Sequence, residues 1–261
     1  KKLTAMNRGQ KEDVFGVRPE YAALLTPGAA IYEQVLELTG AETMWVPGVC
    51  LLDGMAAEYG EETRLVKFKH DFSGDIIASA RVMAKRYKSH VPHIQALERY
   101  ALGIFDAMKK YHGMGRRERL LLQIAVNLHS CGKFISVRDA SDCSYNIIMS
   151  TEIIGLSHRE REVVANVVRY NRKEFPYEET GEDSMLIAKL VAILRLANSM
   201  DRSHKQKLAD AKIAVKDGVL TVSTSCEEDI TLEKIAFEQK QDFFEEIYGI
   251  RPVLKQKRRM K

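Results

Sequence analysis

The spacing of the apolar residues changes once along the chain, and this change constrains the fold more than any other feature of the sequence. From about residue 70 to residue 205, apolar side chains recur at intervals of three and four residues, which is the period of an amphipathic helix. From about residue 206 the period falls to two, with an Asp-Gly turn signal, until a further helical stretch over about 231–248 and a last strand. The sequence therefore predicts a mainly helical protein, with a helical bundle followed by a small β-β-α-β unit.

The first 62 residues predict a different set of elements from the rest of the chain. The stretch PEYAALLTPGAAIYEQVLELTG predicts an amphipathic helix that is interrupted at Pro27-Gly28 and ended by Gly40. ETMWVPG then predicts a short strand around Met44–Val46, and LLDGMAAEYG a helical turn. Because one strand cannot form a sheet and the chain starts at Lys-Lys, we expect the C-terminal fringe of a larger α/β domain. The strand edge and the apolar face of the helix at 29–39 should then be partly uncovered and favour association.

Three helices of the predicted bundle direct polar side chains at its core. The most apolar helix, RRERLLLQIAVNLHS, ends at His129 and Ser130. His93 continues the apolar stripe of an earlier helix, and Asn198 continues that of a later one, four residues after a leucine. We expect these four side chains to converge.

Two inward histidines on separate helices are the skeleton of an HD-type metal site, in which imidazole and carboxylate groups hold a cation and activate water. Ser130 and Asn198 supply no carboxylate, so we expect this site to bind no metal. The alternative to a degenerate metal site is that the two histidines are ordinary hydrogen-bonded core residues. Cys131 and Cys143 have the ligand type that zinc prefers, but Cys131 follows His129 by two residues at a helix end and should point elsewhere.

Basic residues are clustered although the formal net charge is only +4. The clusters lie at 109–119, 169–173 and 202–207 and in the C-terminal tail. Clustered cations concentrate anions, and a bundle that brings the clusters to one side would offer a polyanion groove; the alternative is a set of solvated helix ends. The candidate polyanion-binding residues are Arg116, Arg117, Arg169, Arg172, Lys173, Arg202 and Lys205.

Hydropathy and cysteine spacing indicate where in the cell the protein works. No window has the run of apolar residues that a membrane span needs, and the basic N-terminus lacks the apolar core of a signal peptide. The four cysteines are scattered without a CxxC pair, as expected of reduced thiols. We therefore expect a cytoplasmic protein.

Long stretches of the chain resemble the exopolyphosphatase / guanosine pentaphosphate phosphohydrolase (Ppx/GppA) family. HIQALERYALGIFDAMKKYHGM, LLQIAVNLHSCGKFIS, SYNIIMSTEIIGLSHREREVVANVVRYNRKEFP and ILRLANSMDRSHKQK are similar to its HD-like helical domain. The first segment resembles the end of its second actin-like domain, and residues 211–256 resemble its small C-terminal domain. The resemblance implies three parts: a remnant of an actin-like domain (1–62), an HD-like bundle with a degenerate metal site (63–205) and a small α+β domain (206–261).

The resemblance also implies a role. In that family the two actin-like domains carry the catalytic carboxylate, the phosphate loops and Mg²⁺, so we expect no catalytic residue and no cofactor in this chain, and no hydrolysis by it alone. The HD-like part is understood to extend an anion channel, which implies polyphosphate or guanosine polyphosphate as partner, a homodimer, no membrane and no specific nucleic acid. Matched to HD positions, Ser130 and Asn198 stand for two aspartates, and Asn171 for a histidine of many relatives.

Two other functions stay open at this point. With carboxylates supplied from elsewhere, the chain would be an HD-type metal-dependent phosphohydrolase acting on nucleotides. Without any turnover, the same Arg-rich surface would make it a (p)ppGpp-binding regulatory module.

Overall fold

A computed structural model describes residues 2–46, 48–63, 65, 71–176 and 181–257. The chain falls into two compact units, residues 1–69 and 70–261. The helices of the first unit are α1 (Lys2–Ala5), α2 (Arg8–Phe15), α3 (Pro19–Thr39) and α4 (Leu51–Glu62). The α-helices of the second unit are α5 (Ser73–Arg86), α6 (Val91–Ala107), α7 (Lys109–His112), α8 (Arg116–Leu128), α9 (Ala140–Ser150), α10 (His158–Tyr170), α11 (Ser184–Ser199) and α12 (Thr231–Tyr248). Its strands are β1 (Lys212–Lys216), β2 (Val219–Thr224) and β3 (Arg251–Gln256), and short 3-10 turns lie at Cys131–Phe134 and Gly181–Asp183.

The first unit corrects two predictions. Helix α3 runs through Pro27 without a break, because helix-forming residues on both sides compensate for the hydrogen bond that proline cannot donate. Gly40 ends the helix in a left-handed conformation, as predicted. The strand predicted around Met44–Val46 is wrong: these residues have no regular structure, and Pro47 lies outside the described residues. A strand needs a partner strand for its backbone groups, and the described part of this unit offers none.

The apolar face of α3 is uncovered, as the sequence predicts. Ile31 and Leu38 are 64% and 84% exposed, and Trp45 in the following segment is 88% exposed. The association that we expect from this surface stays a prediction.

Helix α8 is the centre of the second unit. Eight of its residues, from Leu120 to Leu128, are buried, and the helix packs against α5, α6 and α10. The predicted capping box at the start of α10 is present: the Ser157 hydroxyl accepts from the Glu160 amide at 3.2 Å. The central apolar helix and the capped helix are therefore confirmed.

The predicted β-β-α-β unit is present. Strands β1 and β2 form an antiparallel hairpin whose turn residues, Asp217 and Gly218, both have positive φ, as a type I′ turn requires. Strand β3 joins β2 in parallel after the α12 crossover. Phe237 and Phe244 of α12 belong to the same hydrophobic core as the bundle. The chain is thus mostly helical with a small three-stranded sheet near its C-terminus, while the division into three domains stays a prediction.

None of the described helices is long and apolar enough to cross a lipid bilayer.

Candidate functional site

The two histidines singled out in the sequence converge inside the second unit. His93 lies in the first turn of α6, and His129 follows the last residue of α8. Both are buried, and their ring centroids are 5.2 Å apart. The prediction that these side chains point inward and meet is confirmed.

The third member of this cluster is Asp201, not Asn198. Asp201 is 1% exposed, and one carboxylate oxygen lies 2.7 Å from His93 Nδ1. The Gln206 backbone amide donates to the other oxygen at 2.7 Å, and the Gln206 side chain donates to the first at 3.1 Å. Desolvation alone would raise the pKa of Asp201, but these hydrogen bonds outweigh it and the pKa is lowered. The carboxylate is therefore ionised and committed to protein partners.

Asn198 lies one turn earlier on α11 and is half-buried, lining a separate cavity. The expectation that Asn198 points at the histidines is wrong. So is the expectation that the cluster lacks a carboxylate.

His129 is held as a neutral imidazole. Its Nδ1 donates to the Val126 carbonyl at 2.7 Å, so Nε2 carries the lone pair, and this atom is buried with no hydrogen-bond partner among the described residues. Burial, and then the neighbouring His93, Lys133 and Arg172, together lower the pKa of His129 to about 3 against the opposing effect of the hydrogen bond to Val126. Leaving such a buried nitrogen unpaired costs about 1–3 kcal/mol.

His204 covers the outer side of the cluster. Its ring stacks on His93 with centroids 3.9 Å apart, and its backbone has a positive φ of 56°, which is uncommon for a residue other than glycine. Desolvation, and then His93, lowers the pKa of His204 to about 4. These rings border a cavity of about 280 Å³ that Lys133 and Phe134 also line.

The arrangement does not suit a divalent cation. Ser130 occupies the place next to His129 where an HD site has its aspartate, and the one carboxylate present, Asp201, binds His93 and Gln206. Across the described ranges, no group of three or more His, Cys, Asp or Glu residues is placed to hold a metal ion. Cys131 is fully buried, and burial raises the pKa of its thiol to about 11, so it remains a thiol rather than a thiolate ligand.

A second, strongly basic cavity of about 250 Å³ lies where the C-terminal ends of α10 and α11 face α12. We call it the arginine pocket. Its charged lining residues are Arg172, Arg195, Arg202 and Lys240, and its polar lining residues are Asn171, Asn198, Ser199 and Gln239. Within the part of the chain that the structure describes, no carboxylate pairs with Arg172, Arg202 or Lys240.

The cations of this region are close enough to repel one another. Partial desolvation and the charge of Arg202 lower the pKa of Arg172. Partial burial, and then Arg172 and Arg202, lowers the pKa of Lys133. Desolvation, and then Arg195 and Arg202, lowers the pKa of Lys240. Mutual repulsion of this kind is relieved when an anion binds.

Only part of the predicted basic set lies in this pocket. Arg172 and Arg202 are brought together there. Arg169 and Lys173 both bind Asp142, the former at 2.9 Å. These two residues are therefore compensated locally.

The remaining predicted cations lie outside the two cavities. Arg117 forms a bidentate pair with Glu160 at 2.5 and 2.8 Å, while Arg116 lies 3.5 Å from Asp71. Lys205 is exposed and lines neither cavity.

The sequence analysis missed four lysines and arginines that line these cavities: Lys88, Lys133, Arg195 and Lys240. Arg195 was detectable, because Arg195, Asn198 and Arg202 follow one another at spacings of three and four residues, and thus share a helix face that continues past the end of α11. Lys240 lies on a helix whose packing against α11 could not be known without the fold.

The comparisons with known proteins agree with this architecture. The family model for Ppx/GppA phosphatase, domain III, matches residues 77–241. A guanosine-5'-triphosphate,3'-diphosphate pyrophosphatase of Photobacterium profundum is 22% identical over 199 residues, which cover 75% of this chain and 39% of the relative. A protein of the same name from Vibrio atlanticus is 21% identical over 229 residues, or 86% of this chain and 45% of the relative. The chain thus spans less than half the length of these relatives. Since the family model covers more than half of it, the chain belongs to the Ppx/GppA phosphatase family, through that family's domain III.

Proposed function

We propose that the chain is the C-terminal part of an exopolyphosphatase-type phosphohydrolase and that it binds a phosphate-rich polyanion without cleaving it. On this proposal the helical bundle is HD-like, residues 1–62 are the fringe of an actin-like domain, and catalysis with Mg²⁺ belongs to actin-like domains outside this chain. Homodimerisation and a cytoplasmic location are parts of the same proposal. Membership of the Ppx/GppA family supports it.

One observation carries the polyanion part of the proposal. Arg172, Arg202 and Lys240 come from three separate segments, yet they line one cavity of about 250 Å³. A protein tolerates unpaired cations at short range where a ligand compensates them. A polyphosphate chain, with about one charge per phosphate, releases counterions when it binds such a surface, as nucleic acids do.

There are two candidates for the bound polyanion, polyphosphate and guanosine polyphosphate. Polyphosphate is favoured by the cluster of Arg172, Arg202 and Lys240 in one cavity. Guanosine polyphosphate is favoured by the names of the two relatives, which act on a guanosine triphosphate diphosphate. A (p)ppGpp-binding regulatory module is therefore the second candidate.

Binding measured at several salt concentrations tests the proposal. Long-chain polyphosphate should bind the chain with an affinity that falls steeply with salt. Neutralising one contact, by Arg172→Gln or Arg202→Gln, should lower the slope of log affinity against log salt by roughly one. Lys216→Gln is the matched control, because Lys216 is exposed on β1 and lines neither cavity. Salt-independent binding, or equal slopes for all three variants, would refute the polyanion surface.

Turnover is tested separately. The isolated chain should release no phosphate from polyphosphate, pppGpp or phosphomonoesters with Mg²⁺ or Mn²⁺. Activity that persists through repurification and is lost in His129→Asn would instead favour an HD-type hydrolase.

A further inference from the structure

We propose that the cavity bordered by His93 and His204, which we call the histidine cavity, takes a purine base that stacks on His204 and turns its acceptor edge toward the lysines of the cavity wall. This inference rests on the second candidate of the proposed function, a nucleotide ligand, and names the part of that ligand that the cavity recognises.

The first argument is the stacking position on His204. One face of this ring lies on His93, with the ring planes inclined by 23° and the centroids 3.9 Å apart. His204 is nevertheless an exposed residue that lines the cavity. A flat ligand on the opposite face of His204 would become the third layer of the stack. Stacking on aromatic side chains is a common way in which proteins hold an unpaired base.

The second argument is that this stacking platform is fixed before a ligand arrives. The His204 amide donates to the Asp201 carbonyl at 3.1 Å, and the Gln206 side chain donates to the His204 carbonyl at 2.8 Å. These bonds hold His204 at a φ of 56°, a conformation that is costly for histidine and persists where its surroundings determine it. His93 beneath it is fixed by Asp201. A fixed platform loses little conformational freedom when a ligand binds.

The third argument is the aromatic character of the remaining wall. Tyr87 and Phe134 form an edge-to-face pair with centroids 5.9 Å apart, and the Lys88 ammonium lies 5.8 Å from the centroid of Phe134. Phe134 is 54% exposed although it is a large apolar residue. Sites for small molecules are lined mainly by apolar and aromatic side chains with a few polar groups, and their volumes begin at roughly 300 Å³. A cavity of about 280 Å³ therefore suits a base better than a whole nucleotide.

The fourth argument is the set of donors that line the cavity. Lys88 and Lys133 can only donate, and neither forms an ion pair with a carboxylate of the described residues. His90 Nδ1 accepts from the His93 amide at 3.3 Å, so the ring proton of His90 is on Nε2 and is available for donation. Guanine presents two adjacent acceptors, N7 and O6, whereas adenine has an amino donor in place of O6. The donors therefore favour guanine over adenine.

Other classes of ligand fit this cavity less well. A divalent cation would need a free carboxylate, whereas Asp201 is bound to His93 and Gln206. Burial lowers the pKa of His129 to about 3 and that of His204 to about 4, so both rings are neutral near pH 7 and add no positive charge for a phosphate group. A neutral flat ring with polar edges remains the best match.

Titration of the full chain, followed by proton NMR of the histidine rings, tests the site with guanosine, adenosine and ribose 5-phosphate as probes. Guanosine should bind saturably and shift the His204 ring signals, which are identified by their loss in His204→Asn. Because stacking is not an ionic contact, its affinity should change by less than about twofold between low and high salt. Adenosine should bind more weakly, and ribose 5-phosphate should not shift these signals.

Three variants of the chain separate stacking from a general effect on the fold. His204→Asn removes the aromatic ring but tolerates the positive φ, and it should weaken guanosine binding by about tenfold or more. His204→Phe keeps a flat ring and should retain the affinity within about threefold. His158→Asn is the matched control, because His158 is exposed at the start of α10 and lines neither cavity; it should change the affinity by less than about twofold.

The outcomes that overturn the inference are distinct from those that overturn the proposed function. If guanosine gives no saturable shift, or binds His204→Asn as tightly as the unmodified chain, the cavity is not a base site. If adenosine binds as tightly as guanosine, the assignment of the lysines to a guanine edge is wrong. If long-chain polyphosphate binds with a salt slope while guanosine does not bind, only this inference fails. If neither ligand binds, the proposed function fails as well.

Discussion

The neutral state of His129 makes a quantitative prediction about acid stability. The folded pKa is about 3 because the ring is buried beside His93, whereas an unfolded histidine titrates near its ordinary value of about 6.5. Between these values the unfolded chain binds one more proton than the folded chain, so stability falls as pH falls. From pH 7 to pH 5 this single group should remove about 2 kcal/mol of the free energy of unfolding.

Urea denaturation at several pH values measures this effect. His129→Asn is the test variant, since an asparagine amide can donate to the Val126 carbonyl but cannot titrate. The variant should be less stable than the unmodified chain at pH 7 and should lose less stability on going to pH 5. His204→Asn controls for the other histidine with a lowered pKa in the cluster. Parallel pH profiles for the unmodified chain and His129→Asn would show that His129 is not held neutral by burial.

Three further predictions concern the packing and the polar cluster. Gly132→Ala should destabilise the fold by about 3 kcal/mol or more, since a Cβ there would lie 2.1 Å from the Ala140 carbonyl oxygen; Gly74→Ala, with open space around it, should change the urea midpoint little. Asp201→Ala should cost about 3–5 kcal/mol at pH 7 in the same assay, because it leaves buried donors unpaired. Ser130→Asp alone should give a variant whose melting temperature does not rise with Mn²⁺ or Zn²⁺, since Asp201 stays bound to His93 and Gln206; a rise would show that Asp201 can leave these partners to hold a cation.

Much of the second unit could be predicted from sequence, because the sequence features that determine its helices and turns involve only neighbouring residues. The capping box of Ser157 and the turn at Asp217-Gly218 each depend on a few adjacent residues and their backbone requirements. The central position of α8 followed from its apolar composition alone. Local rules fail in the first unit, where a strand was expected without a partner and Pro27 was expected to interrupt a helix that runs through it.

The misassignment of Asn198 has a specific cause. At 100° per residue, a position four residues after Leu194 is rotated by about 40° from it, whereas a position seven residues after is rotated by only about 20° in the other direction. Asp201 occupies that second position, and the chain keeps turning for two residues beyond the end of α11. Helical periodicity thus favoured Asp201, and the error arose from ending the pattern at the predicted helix terminus.

The charges around the histidine cluster bear both on metal binding at the two histidines and on the proposed anion binding. A divalent cation at His93 and His129 would need compensating carboxylates, yet Ser130 is neutral and Asp201 already binds His93 and Gln206. The nearby cations Lys133 and Arg172 lower the pKa of His129, so they repel positive charge at that position. On the proposed function, Arg172 would also attract a phosphate-rich ligand into the arginine pocket, which it lines. A positive field around His129 therefore disfavours a metal ion there and, on the proposed function, would favour an anion nearby.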